Sequence, residues 1–212
     1  MQQAIQKALE TLRAGGVILY PTDTVWGIGC DATNPEAVAR IYEIKRREDS
    51  KSLILLASDM DMIARYVKEI PEMAVQLVDV NDKPMTIIYP GAVTGLRPTP
   101  SSPETDGGVV NFPKPDRNAL AFNIVAEDGT VGIRIPMMDF CQQLVYKLGR
   151  PLVSTSANVS GEPTPKRYAD ISDEVRSAVD HIVDPSLEHG STGQSSSIIK
   201  VGLDYSIEII RK

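Results

Sequence analysis

The chain has 212 residues, 42% of them hydrophobic and 24% charged, with a formal net charge of −6. That balance suits one well-filled core or two small domains, and the acidic surplus argues against coating nucleic acid by bulk electrostatics. No apolar run is long enough to span a bilayer and no secretory signal opens the chain, so a cytoplasmic protein without a membrane anchor is expected.

The predicted elements alternate. Ile5, Ala8, Leu9 and Leu12 share one face of a helix over 3–14, which Gly15-Gly16 ends. A short strand over Val17–Tyr20 stops at Pro21. Asn34-Pro35 opens a second helix that runs to about Arg47, with Asn34 as N-cap and Pro35 at its first position. Leu53–Ala57 reads as a buried strand, 59–67 and 71–79 as short helices, and Met85–Tyr89 as a strand.

Residues 92–117 break the pattern. They are rich in Pro, Gly, Ser, Thr, Asp and Asn, and read as an irregular excursion or lid loop. Beyond it come a strand over Val131–Ile135, a helix over 137–148 ended by Gly149, and a strand over Leu152–Ser154. A helix within 172–180 is capped by Ser172 or Asp173. Ser196–Val201 and Ser206–Ile210 form a hairpin about Gly202-Leu203-Asp204. Strand and helix patterns that alternate in this way predict one α/β domain over 1–212, a twisted mixed sheet flanked by helices.

Six segments carry polar groups where a core alone would not need them. Tyr20-Pro-Thr-Asp-Thr-Val-Trp-Gly27 places Thr22, Asp23 and Thr24 directly after a strand, either as a capped turn or as a ligand loop. Lys45, Arg46, Arg47 and Lys51 lie at a helix end. There they read either as a dipole-favoured solvated face or as an anion clamp. Arg134 sits inside an apolar strand and requires a carboxylate partner or an anionic ligand. Thr86 poses a similar question within Met85–Tyr89.

Ser154-Thr-Ser-Ala-Asn-Val-Ser-Gly161 follows an apolar run and reads as a turn or as a set of ligand hydrogen bonds. Ser195, Ser196 and Ser197 lead into a strand in the same manner. No Gly-rich nucleotide loop and no nucleophile elbow is present. Cys30, Cys141, His181 and His189 lack metal-ligand spacing, so two buried free thiols and no metal site are expected.

Six stretches in order resemble the YrdC family, the L-threonylcarbamoyladenylate synthases. They are Gly15–Gly27, Ile41–Arg47, Pro84–Ile88, Val131–Pro136, Pro151–Gly161 and Gly193–Ile199. The resemblance covers nearly all of the chain outside about 92–117. The family's K-x-R and S-x-N elements stand here as Lys45/Arg47 and Ser156/Asn158. The chain departs from the pattern at Glu48, at Lys51-Ser52, in Asn81–Thr86, which keeps only Pro84 and Thr86, and in the length of 92–117.

The resemblance implies a concave ligand cleft on a YrdC-like fold. It also implies synthesis of threonylcarbamoyl-AMP from L-threonine, bicarbonate and ATP, with Mg²⁺ carried by ATP. The product would pass to a transferase complex that modifies adenosine 37 of tRNAs reading ANN codons. By the same resemblance, Lys45, Arg47, Ser156 and Asn158 would be catalytic. Thr24, Lys51, Thr86, Arg134, Ser154 and Ser197 would bind substrate. A non-catalytic RNA-binding module of the same fold is the alternative.

Overall fold

The strands build a single large sheet, and their register decides which side chains enter the core and which reach the opposite face. The computed structural model describes residues 1–46, 53–96 and 114–212. In chain order the regular elements are α1 (Gln2–Arg13), β1 (Ile18–Tyr20), β2 (Gly27–Gly29), α2 (Pro35–Lys45), β3 (Ile54–Leu56), α3 (Met60–Tyr66), α4 (Glu72–Val80) and β4 (Met85–Tyr89). They continue with β5 (Val131–Arg134), α5 (Asp139–Leu148), β6 (Leu152–Ser156), α6 (Asp173–Ala178), β7 (His181–Ile182), β8 (Ser197–Val201) and β9 (Ile207–Arg211). The described strands form one mixed sheet in the order β7-β1-β2-β6-β3-β5-β4-β8-β9.

Strand register separates two faces. Leu55 lies opposite both Ile133 and Val153, and Ile133 lies opposite Ile87. This row is buried in the core. One residue along, Ile54 lies opposite Gly132 and Ser154. Successive side chains point to opposite faces, so Ile54 and Ser154 emerge on the other side of the sheet. α1 and α5 pack against each other and bury Ile5, Leu9, Leu12, Phe140 and Leu144.

The expected caps are present. The Asn34 side chain accepts from the Glu36 and Ala37 amides, and Ser172 accepts from the Val175 amide. Gly149 closes α5 in the left-handed region at φ 73°. Two strands escaped the sequence reading. β2 is Gly-Ile-Gly and β7 has two residues, too little for any period to show. A third difference matters more. β6 continues through Ser156, so the hydroxyl-rich run begins as a strand and turns only after it.

Gly29 shows why β2 is glycine-rich. Tyr20 lies across β2 and donates its hydroxyl to the Val153 carbonyl at 3.1 Å. A Cβ on Gly29 would come within 2.4 Å of the Val153 carbonyl oxygen and 2.7 Å of Cε1 of Tyr20.

The proposed lid over 92–117 falls largely on 97–113, outside the described residues. Its flanks are anchored: the Gly95 amide donates to the Leu120 carbonyl at 2.8 Å.

Candidate active site

On the face opposite the core a cavity of about 270 Å³ opens. One wall is strand: Gly27, Ile54, Ser154, Thr155 and Ser156. A second is the turn after β1, with Thr22, Thr24, Val25 and Trp26. The third comes from the far edge of the sheet, with Ser195, Ser196, Ile198 and Arg211. Arg134 reaches in from the end of β5.

Arg134 has the carboxylate partner that its burial demanded. Its Nη1 donates to both oxygens of Asp23, at 2.7 and 2.9 Å, and the two side chains are 3% and 7% exposed. A buried pair of this kind is costly to break from one side only. Nη2 donates to Oγ1 of Thr24 at 3.2 Å. The Met137 amide also donates to Asp23, at 3.0 Å. Arg134 is therefore both a structural ion pair and a cavity residue, which joins the two readings open in the sequence.

The rim is tied down by a strap at 191–193. The Ser191 hydroxyl donates to the Thr22 carbonyl. The Thr192 and Gly193 amides donate to the carbonyls of Asp23 and Thr24 at 3.0 and 2.8 Å. Trp26 is fully buried, and its indole N–H donates to Glu188 at 2.7 Å.

Lys45 is not on a solvated face. It is 3% exposed, and its ammonium donates to the carbonyls of Ser156 and Asn158, each at 2.7 Å. The Ser160 amide donates back to the Lys45 carbonyl at 2.9 Å. Lys45 does not line the cavity; it holds the turn that ends the strand wall. The structure thus brings Lys45, Ser156 and Asn158 together, with the lysine gripping backbone.

Asn158 also stabilises this turn. Its Nδ2 donates to the carbonyls of Val159 and Glu162, at 3.0 and 2.8 Å. Its Oδ1 is buried without a hydrogen-bond partner. Arg47 and Lys51 lie outside the described residues.

Two of the residues expected to bind substrate stand off the cavity wall. Ser197 does not line the cavity, whereas Ser195, Ser196 and Ile198 do. The reason is period: Ser197 pairs with Met85 in the strand register, and the cavity-facing residues are the alternate ones, Ser196 and Ile198. Thr86 is also not at the surface of the cavity. It is fully buried, and its hydroxyl lies 2.8 Å from that of Ser196, behind the wall.

Arg211 was missed by the sequence reading. Its Nε and Nη2 donate to the Ser196 carbonyl at 2.9 and 2.7 Å, and burial lowers its pKa from the ordinary value. A β-bulge places it there. Ile199 faces Ile209, but Ile198 faces Arg211, so β9 carries one extra residue. Without the bulge, Arg211 would share the face of Ile207 and Ile209. The available signal was a lone arginine closing an apolar strand, the same signal that marked Arg134.

The family model Sua5_yciO_yrdC, described as "Telomere recombination", matches residues 10–212. The chain belongs to the Sua5/YciO/YrdC family. It is 32% identical over 189 residues to a threonylcarbamoyl-AMP synthase of Stenotrophomonas maltophilia, covering 89% of this chain and 87% of that one.

Among solved members of the Sua5/YciO/YrdC family, P. abyssi Sua5 complexed with L-threonine superposes with a TM-score of 0.74 at 26% identity. That match covers 93% of this chain and 50% of the other, so the chain spans about half the length of the solved Sua5. E. coli YciO matches with a TM-score of 0.72 at 24% identity, over 100% of this chain and 90% of that one, and shows the shared fold.

Proposed function

We propose that this chain synthesises threonylcarbamoyl-AMP from L-threonine, bicarbonate or CO2, and ATP, with release of pyrophosphate. The observation that carries the reading is the lining of the cavity. Two guanidinium groups, Arg134 and Arg211, face a wall of hydroxyls from Thr24, Ser154, Ser156 and Ser196. Cations beside neutral donors suit a reaction that joins two anions.

The chemistry needs no protein nucleophile. The threonine amine captures CO2 as a carbamate. A carbamate oxygen attacks the α-phosphorus of ATP, the bond to the β-phosphate oxygen breaks, and pyrophosphate leaves. The enzyme's task is to align the two anions and offset their repulsion. Neither cysteine is placed to intervene. Cys30 and Cys141 are buried, and burial holds both thiols well above their ordinary range.

In this reading Thr24 and Arg134 take the amino-acid end, and Ser154 and Ser156 hydrogen-bond the acyl and phosphate oxygens. Ser196 and Arg211 meet the nucleotide from the far edge. Lys45 and Asn158 keep the Ser156 turn in place, and the family resemblance alone assigns Arg47 and Lys51 to the anionic substrates. No carboxylate is among the described residues that line the cavity. The described residues also contain no group of three His, Cys, Asp or Glu side chains able to hold a metal ion. In this proposal Mg²⁺ is carried in by ATP.

The product would serve a transferase acting on adenosine 37 of tRNA in the cytoplasm. The net charge of −6 weighs against tRNA as the primary ligand. No helix among the described residues is long and apolar enough to cross a membrane.

The test is pyrophosphate release from pure protein with each substrate omitted in turn. Release that requires L-threonine, bicarbonate and Mg-ATP together supports the proposal. Salt-sensitive tRNA binding with no threonine-dependent release would favour the RNA-binding alternative.

A further inference from the structure

We infer that Thr22 is a positioning residue that makes the Thr24 hydroxyl an acceptor, and only an acceptor, toward the cavity. The inference rests on the reading that this end of the cleft binds an amino acid. It follows from counting hydrogens. A threonine hydroxyl has one proton and two lone pairs. The Thr22 hydroxyl lies 2.7 Å from the Val25 carbonyl, which can only accept, so Thr22 spends its proton there. Thr22 Oγ1 also receives the Thr24 amide at 3.1 Å.

The two hydroxyls lie 2.8 Å apart. With the Thr22 proton committed, the proton between them belongs to Thr24. Thr24 in turn accepts from Nη2 of Arg134 at 3.2 Å. Its own proton and one lone pair are then used, and one lone pair remains for the cavity. A ligand atom seated against Thr24 must bring a hydrogen.

Arg134 is the complement. Asp23 takes Nη1, and Thr24 takes one hydrogen of Nη2. The second Nη2 hydrogen is not needed for these contacts. One acceptor beside one cationic donor matches an α-amino acid, whose nitrogen and carboxylate share a carbon. The geometry assigns the substrate N–H to Thr24 and a carboxylate oxygen to Arg134. The nitrogen is then held through its hydrogen, leaving its lone pair to meet CO2. Asp23 fixes Arg134 from behind and completes the relay.

Thr22→Val keeps the shape and removes the relay. The Thr24 proton is then free to turn toward the cavity, where it opposes the substrate N–H. The expected result is a KM for L-threonine raised about three- to tenfold, the worth of one neutral hydrogen bond, with the KM for ATP unchanged. Thr22→Ser should restore the wild-type value. Thr22→Val should add nothing to Thr24→Val, because Thr22 acts through Thr24. Thr22→Ala, checked by thermal melting, repeats the test should valine disturb the fold.

An unchanged threonine KM in Thr22→Val, an equal rise in both KM values, or multiplicative effects of Thr22→Val and Thr24→Val would each overturn the relay. Wild-type protein that releases no threonine-dependent pyrophosphate would instead overturn the amino-acid reading, and the inference with it.

Discussion

The ammonium of Lys45 donates to the carbonyl oxygen of Ser156 at 2.7 Å, and to that of Asn158 at the same distance. A cation that the sequence left between a solvated face and an anion clamp thus supports the backbone from which the Ser156 hydroxyl enters the cavity. Lys45→Met should leave two carbonyls without this partner. The Ser156 carbonyl keeps the Asn158 amide at 2.9 Å, so the loss falls chiefly on the Asn158 carbonyl. One buried unsatisfied group costs about 1–3 kcal/mol, and a melting temperature lower by roughly 2–12 °C is expected for a chain of this size. Turnover should fall with it, and Lys45→Arg should not rescue, because a planar fork cannot replace a compact ammonium between two carbonyls. A Lys45→Met protein that melts like wild type would remove the positioning role.

Gly29 offers a sharper stability test. A Cβ there would stand 2.4 Å from a backbone oxygen, and a backbone atom cannot swing aside as a side chain can. Gly29→Ala should cost about 2–3 kcal/mol through overpacking, read as a melting temperature lower by roughly 4–12 °C. Gly149→Ala is a useful contrast. Nothing lies within 4 Å of its added Cβ, so its cost comes from the positive φ alone.

Much of the fold was legible because its signals are local. The Asn34-Pro35 start, the Gly149 stop and the apolar periods of α1, α2 and α5 depend on neighbours in sequence. The lining of the candidate site was legible in part for the same reason: Thr24, Arg134, Ser154 and Ser156 all stand in or beside recognisable strands and line the cavity. What failed was register and tertiary context. Ser196 lines the cavity and Ser197 does not, because one residue along a strand exchanges its faces. Arg211 depends on a bulge that no pattern within β9 announces. The charges that follow Lys45 suggest water, while the neighbour that buries it lies over a hundred residues away.

Arg211 is the residue on which the nucleotide reading depends most. Its guanidinium is anchored by two bonds to the Ser196 carbonyl, which orients it without neutralising it. Hydrogen bonds to charged groups are worth about 1.5–3 kcal/mol, so Arg211→Ala should raise the KM for ATP by roughly ten- to a hundredfold. The KM for threonine should change little, since Arg134 and Thr24 lie at the other end. Arg211→Lys should recover part of the loss, keeping charge but not the fork. Equal losses for both substrates would instead mark Arg211 as a structural residue of the edge.

The acid response should report on Asp180. Its carboxylate accepts from Arg40 Nη1 at 2.8 Å and Nη2 at 3.2 Å, and from the Val17 amide at 2.7 Å, joining α2 to the start of β1. The Arg40 hydrogen bond, helped by that amide, holds its pKa below the ordinary 3.8. A carboxylate depressed in the folded state stabilises the fold above its unfolded pKa, and the contribution is lost as pH falls through the folded value. The Arg40 and Asp180 side chains are 39% and 41% exposed. Solvent screening therefore limits the pair to about 0.5–1 kcal/mol. Asp180→Asn should melt roughly 1–4 °C lower than wild type at pH 7. That gap should narrow as pH falls below about 4 and close once the wild-type carboxylate is protonated. Melting curves of both proteins between pH 7 and pH 2.5 test this, and a gap independent of pH would show that the amide's shape, not the lost charge, is what matters at this position.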